Sequence, residues 1–499
     1  MPHTKTFFGH PRGLATLFFT EMWERFSYYG MRALLYLFLL ASVESGGMGY
    51  TDEKSGAIYG LYTMFVYLLA LPGGWLADNF LGLRKAVFIG GCFIAFGHFL
   101  LFIPTHETFY AGMVTVVMGV GLLKPNVSGI VGGLYGADEQ SRRDSGFSLF
   151  YTGINLGAFL SPLIVGPIGE RIDWHLGFGV AGIGMVIGLV QYKMTEKYLG
   201  TVGMEPSRLP DPALQAKRER TIRNVLLIAG LALISLMVLV YTGWVRINPV
   251  ALADASGVVI LVFVTLYFIY IFLFEKLTPD EKKKISVVAI LFLFSALFWS
   301  GFEQAGSTLN IFAARYTDRV IFGIDIPASV FQSVNSVFII VLSPVFAWLW
   351  VWLANRNINP STPFKFSFGL IFLGLGFAVM AVASYVVAGG SNPLFTWLLA
   401  TYLLHTVGEL SLSPVGLSAM TKLAPQRMVG QMMGIWFMST ALGNLLAGRI
   451  AGNFNEDAIN ADPGLMPQLF WLIVKTTVIS GLVLLIFSKP IRKLMGNIR

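Results

Sequence analysis

Of the 499 residues, 55% are hydrophobic and only 12% carry a charge, a balance that excludes an ordinary water-facing surface and requires a bilayer as solvent. The one cysteine, Cys92, excludes a disulfide framework and a thiolate metal site within one chain. The net charge of +8 does not indicate nucleic acid: no basic patch interleaved with aromatics accompanies it, and the basic loops of a membrane protein supply such a charge anyway.

Apolar runs of about 20 residues, each long enough to cross a hydrocarbon core, recur over 13–43, 55–77, 85–103, 108–134, 144–168, 175–197, 222–244, 251–275, 286–316, 328–354, 363–389, 394–423, 427–454 and 466–488. They predict an all-α membrane protein of about fourteen transmembrane helices. In chain order, 1–197 form a six-helix bundle, 198–285 hold two charged linkers and two additional helices, and 286–499 form a second six-helix bundle. A faint repeat supports this plan. Trp75-Leu76-Ala77-Asp78-Asn79 follows the second helix of the first half, and Trp352-Leu353-Ala354-Asn355-Arg356 follows the second helix of the last six. Two six-helix halves suit alternating access.

Lys and Arg concentrate on alternate connections, which the positive-inside rule assigns to the cytoplasm. One set holds Arg84, Lys85, Arg142, Arg143, the linker from Lys193 to Arg223, Lys276 with Lys282 to Lys284, Arg356, Lys365, Lys422 and Arg427, while the other holds little beyond Lys54, Arg171, Arg246, Arg315 and Arg319. The even segment number and the basic tail (Lys489, Arg492, Lys493, Arg499) then place both termini in the cytoplasm. The run from Glu275 to Lys284 reads as a solvated linker.

Charges at membrane depth cost about 2.5–3.5 kcal/mol each on insertion scales and need a reason to be there. Glu21, Glu24, Arg25, Arg32, Lys124, Glu303, Glu409 and Lys475 stand at such depth. Static ion pairs between helices would be one reason, but buried pairs seldom repay their desolvation, so a pathway is the better account. In the first segment Glu21, Arg25, Tyr28 and Arg32 follow at spacings of four, three and four, which stacks them on one helical face with Glu24 and Tyr29 beside it. The stripe is about 16 Å long. Its arginines are planar, permanently charged donors suited to a carboxylate, and its glutamates can take up and release protons. Tyr28, Tyr29 and Tyr67 add phenolic hydroxyls, although any one of them alone reads as ordinary packing.

The loop from Gly73 to Lys85, joining the second and third segments, resembles the cytoplasmic signature of the major facilitator superfamily. The run Glu21-Met22-Trp23-Glu24-Arg25 resembles the ExxER motif of the proton-dependent oligopeptide transporter (POT) family. Phe150-Tyr151-Thr152-Gly153-Ile154-Asn155-Leu156-Gly157-Ala158-Phe159 is similar to that family's FYxxINxGSL signature, departing only at its last two positions, and the two central helices are typical of its bacterial members. Further matches are Leu123-Lys124-Pro125-Asn126, Phe302-Glu303-Gln304, Gln332-Ser333-Val334-Asn335 and Gly408-Glu409-Leu410-Ser411-Leu412-Ser413-Pro414.

The resemblance implies a proton-coupled symporter that imports di- and tripeptides. Protons are the coupling ion, and no cofactor and no metal take part. It implies that Glu21 and Glu24 bind protons, that Arg25 and Lys124 respond to the peptide carboxylate, and that a bound carboxylate competes with Glu24 for Arg25. Glu303 is expected to pair with Arg32 at the outward gate, and Glu409 to receive the peptide amino terminus. Tyr67, Asn155, Trp299, Asn335, Ser413 and Trp436 match pocket positions, with the two tryptophans also compatible with packing. The single chain is the expected working unit, in a bacterial inner membrane. Where animal relatives carry a functional histidine, this chain reads Ile58-Tyr59-Gly60-Leu61, so histidine is not the expected proton carrier. His98 and His405 are expected to be structural, and Lys475 matches no family function. A carrier of nitrate, another anion or a modified amino acid is the nearest competing reading. A membrane enzyme is disfavoured because neither HExxH nor a Walker-type loop is present, and a sensor or channel is the remaining alternative.

Overall fold

A bilayer leaves no water to satisfy the backbone, so an apolar chain of this length must close its hydrogen bonds within helices. The computed structural model describes residues 6–136 and 138–496; Arg499 of the basic tail lies outside them. The spanning helices are α1 Gly13–Leu40, α2 Asp52–Leu81, α3 Leu83–Phe102, α4 His106–Gly133, α5 Gln140–Arg171, α6 Trp174–Leu199, α7 Pro212–Tyr241, α8 Pro249–Phe274, α9 Pro279–Tyr316, α10 Ala328–Asn355, α11 Thr362–Ala388, α12 Thr396–Leu423, α13 Val429–Ala451 and α14 Leu465–Ile486. Eleven are long and apolar enough to cross a membrane by length and composition; α1, α12 and α13 are comparably long and more polar.

Two helices start well before their apolar runs, and each has a local cause. Asp211 caps α7, its side chain accepting from the Ala213 N–H at 2.8 Å, with Pro212 in the first turn where no amide partner is needed. Thr278 and Glu281 form a capping box on α9, each side chain accepting from the other's backbone N–H. Much of the expected linkers is therefore helix. The connection from α9 to α10 contains a minimal hairpin, β1 Val320–Ile321 and β2 Ile324–Asp325, antiparallel with Val320 opposite Asp325. Phe322 and Gly323 turn it with φ of 50° and 80°, the left-handed pair that a tight hairpin requires.

The described chain comprises two compact units. The first takes the chain up to Tyr28, then Leu68–Gly157 and Phe178–Leu252; the second takes Tyr29–Tyr67, Ala158–Gly177 and everything from Ala253. They interleave along the chain, so the plan of six, two and six helices describes chain order and not these units.

Within the first unit α3 packs along α4. The signature stretch expected as a loop is helical on both sides of Gly82, and the segment after α6 straps onto it: Arg84 donates to the carbonyls of Gly200 and Val202 at 2.5 and 2.7 Å, and Ser207 N–H to Asp78 O at 2.7 Å. Among its described residues α7 buries only Ile222; its apolar part beyond Arg223, so little buried, is suited to face lipid. Within the second unit α11 packs on α12 and α14, and α9 on α13. Helix α8 is tied to α13 at two points, Asp254 to Arg449 at 2.8 Å and Tyr267 to Gln431 at 2.8 Å.

Candidate functional site

In the first unit, α1 holds Glu21, Glu24 and Arg25 within one turn, all at most 3% exposed. Arg25 Nε stands between the two acids, 3.0 Å from Glu21 Oε1 and 2.5 Å from Glu24 Oε2. Two carboxylates thus compete for one guanidinium edge, and whichever loses it must find another cation or a proton. Lys124, half-buried on α4, acts electrostatically on Glu24 and is that second cation. The Arg25 guanidinium also lies over the Tyr28 ring, 5.4 Å from its centroid. Helix α5 reaches α1 here because Gly157 has no side chain: a Cβ would overlap Met22 O and crowd Arg25 Cβ. Asn155, on the same stretch, is buried, with its amide donating to Tyr151 O at 3.0 Å.

In the second unit the α1 stripe continues to Arg32, which is 5% exposed. Its Nη2 lies 2.7 Å from Glu303 Oε2, and its Nε donates to Tyr59 Oη at 2.9 Å. Arg32 also sits 5.7 Å from the centroid of the half-buried Tyr29 ring. Glu303 occupies a break in α9: the backbone tightens to a 3-10 turn over Glu303–Gly306 and leaves helical angles at Ser307 (φ −125°, ψ −93°) before Thr308–Tyr316 resumes. Gly306 is the reason Tyr59 can reach Arg32, since a Cβ there would overlap the Tyr59 hydroxyl. Mid-helix 3-10 turns of this kind often mark a hinge.

Also in the second unit, Glu409 on α12 is 9% exposed. Its only hydrogen-bonding partner among the described residues is neutral: Asn335 Nδ2, at 3.3 Å from Oε2. The same amide donates to Thr406 Oγ1 at 2.9 Å, which holds its orientation. No Lys or Arg pairs with Glu409 among the described residues. A buried carboxylate in this setting can accept a cationic ligand or a proton.

Residues 84–472 match PTR2, the POT family. The chain belongs to the POT family. It is 44% identical to the peptide transporter YePEPT of Yersinia enterocolitica over 99% of this chain and 97% of that one. It is also 36% identical to a di-/tripeptide transporter of Lactococcus lactis, over 99% of this chain and 98% of that one. Among solved structures it is similar to a peptide transporter POT in complex with sulfate, with TM-score 0.89 and 40% identity over 99% and 97% of the two chains. These relatives are transporters and not enzymes, and the fold is that of the major facilitator superfamily.

The remaining positions of this POT member are also placed. Trp299 and Trp436 are buried, Trp436 against Phe366 at a ring-centroid distance of 6.3 Å, and Tyr67, Asn335 and Ser413 are half-buried. Lys475 is exposed. His98 is buried and shares a 2.7 Å hydrogen bond with Ser27 Oγ; His405 is buried with its ring centroid 4.7 Å from that of Phe377. Sequence reasoning missed Tyr59 and Thr406. Gly306, one turn beyond Glu303, was the available sign of a close approach there.

Proposed function

We propose that this chain is a proton-coupled symporter that imports di- and tripeptides by alternating access across a bacterial inner membrane, as a single chain with both termini in the cytoplasm. The observation that carries the reading is Glu409, a buried carboxylate held by a neutral amide, with no Lys or Arg in ion-pair contact among the described residues and Arg32 acting on it only from a distance. A peptide's ammonium group is the ligand that such a carboxylate complements, and Arg25 and Lys124 are the donors for its carboxylate. The names of the peptide-transporting relatives support the same substrate class.

Coupling follows from the place of Arg25 between two acids. A substrate carboxylate that takes Arg25 displaces Glu24, which is fully buried, and protonation neutralises the displaced acid. Glu21 retains the remaining contact with Arg25, and Glu303 releases Arg32 when it takes a proton, which frees the outer gate. Tyr28, Tyr29, Tyr67, Asn155 and Asn335 supply hydrogen bonds to the peptide backbone; Trp299, Ser413 and Trp436 bound its side chains.

The test is uptake into proteoliposomes of labelled dipeptides, tripeptides, free amino acids and nitrate, each with and without an imposed proton gradient. Gradient-stimulated uptake of dipeptides and tripeptides is expected. Uptake of nitrate without any peptide would overturn the substrate, and collapse of the gradient without accumulation would indicate a channel.

A further inference from the structure

Helix α5 ends in Glu170 and Arg171, and α10 begins at Ala328 after Pro327. The first N–H groups of a helix have no partner within it and favour an anionic acceptor. Here that acceptor is Glu170. Ala328 N–H donates to its Oε2 at 3.0 Å, Ser329 N–H to its Oε1 at 2.8 Å, and the Ser329 hydroxyl also donates to Oε1. One turn back on α5, Gly166 leaves room for this serine; a Cβ there would overlap Ser329 Oγ. Two turns further back, Phe159 O accepts from Ser333 Oγ at 2.8 Å. Residues 159, 166 and 170 are spaced by seven and four, so one face of α5 is shaped to receive the start of α10. Beside it, Arg171 donates to the Asp325 carbonyl of the hairpin, and Arg319 donates to Ile326 O at 2.7 Å.

We propose that this contact is a second gate: Glu170 clasps the N-terminus of α10, holds the periplasmic ends of α5 and α10 together, and releases them once in each transport cycle. The inference rests on the transporter reading and on the orientation proposed with it, in which α5, from the first six helices, must part from α10, from the last six, at this end. The chemistry suits a reversible contact. Arg32 and Glu303 strand two buried charges when they separate, whereas Glu170 is only half-buried, and it exchanges amide N–H groups for water. Glu170 is a positioning residue that touches no substrate.

The test uses spin labels at Ile172→Cys and Ile324→Cys in a Cys92→Ser background of the full chain in lipid nanodiscs, with dipeptide uptake measured in parallel. Glu170→Ala is expected to raise the population with separated labels roughly fivefold, the scale of a lost helix cap. Gly166→Ala shifts the population the same way, and the double variant shifts it no further than the larger single change. Glu170→Gln, which keeps an acceptor, gives a smaller shift and carries the test if Glu170→Ala does not fold. An unchanged distance distribution in a folded Glu170 variant would overturn the clasp, even if thermal stability fell, because a purely structural cap would lower stability alone. Absence of dipeptide uptake by the unmodified chain would overturn the transporter reading, while the label distances would still decide whether the clasp opens.

Discussion

Helix α1 carries two arginines seven residues apart, and their partners differ in number. Arg25 Nε stands against two carboxylates, with Lys124 acting on Glu24 from α4; Arg32 is ion-paired with one carboxylate, Glu303, and steadied by the Tyr59 hydroxyl. In the first arrangement a new anion or a proton redistributes contacts that are already shared, so the response is graded. In the second the pair is either made or broken. The first therefore suits sensing of substrate and proton, and the second suits a gate.

The largest effect that would break this contrast comes from Glu24→Gln. It removes the acid that shares Arg25 and is expected to cut proton-driven uptake by roughly 100-fold or more, the scale of about 3 kcal/mol of buried-charge interaction. Counterflow exchange of dipeptide, which needs no net proton movement, is expected to continue. Retained proton-driven uptake would show that sharing is incidental. Next is Glu409→Gln, expected to raise KM for a dipeptide by roughly 30-fold, about 2 kcal/mol. An N-acetylated dipeptide, which lacks the ammonium group, should bind the variant and the unmodified chain alike. Equal losses for both ligands would remove Glu409 from amine recognition.

The smallest effect sharpens the gate side. Tyr59→Phe keeps the Arg32–Glu303 ion pair and deletes one hydrogen bond to a charged group, a loss of about 1.5 kcal/mol. Thermal unfolding in detergent should register that loss while uptake persists. Abolished uptake would mean that the hydroxyl, and not the ion pair, holds the gate.

The contrast itself was only partly legible in the sequence. All fourteen helices were, because apolar runs of bilayer length leave few other solutions, and the charges of α1 stood out because each is costly in a bilayer. The break in α9 was not. It depends on Arg32, Tyr59 and Gly306 meeting across three helices, and nothing in the local sequence distinguishes Tyr59 among 18 tyrosines. Glu170 was hidden for a different reason: an acid at a helix end looks like any solvated terminus until the helix it caps is in place. The helical start of α7 was readable from Asp211-Pro212, but the charged residues that follow gave the segment the appearance of a linker. Hydropathy thus finds the spans, whereas pairings between distant helices need the fold.

The central claim is that a peptide carboxylate taking Arg25 displaces Glu24, which then takes up a proton from solution. Proton entry upon peptide addition tests it most directly. Proteoliposomes loaded with a pH-sensitive dye and given external dialanine should acidify inside with the unmodified chain, and should not acidify with Glu24→Gln even though that variant still exchanges dialanine. Dialanine accumulation without internal acidification in the unmodified chain, or undiminished acidification in Glu24→Gln, would contradict the account.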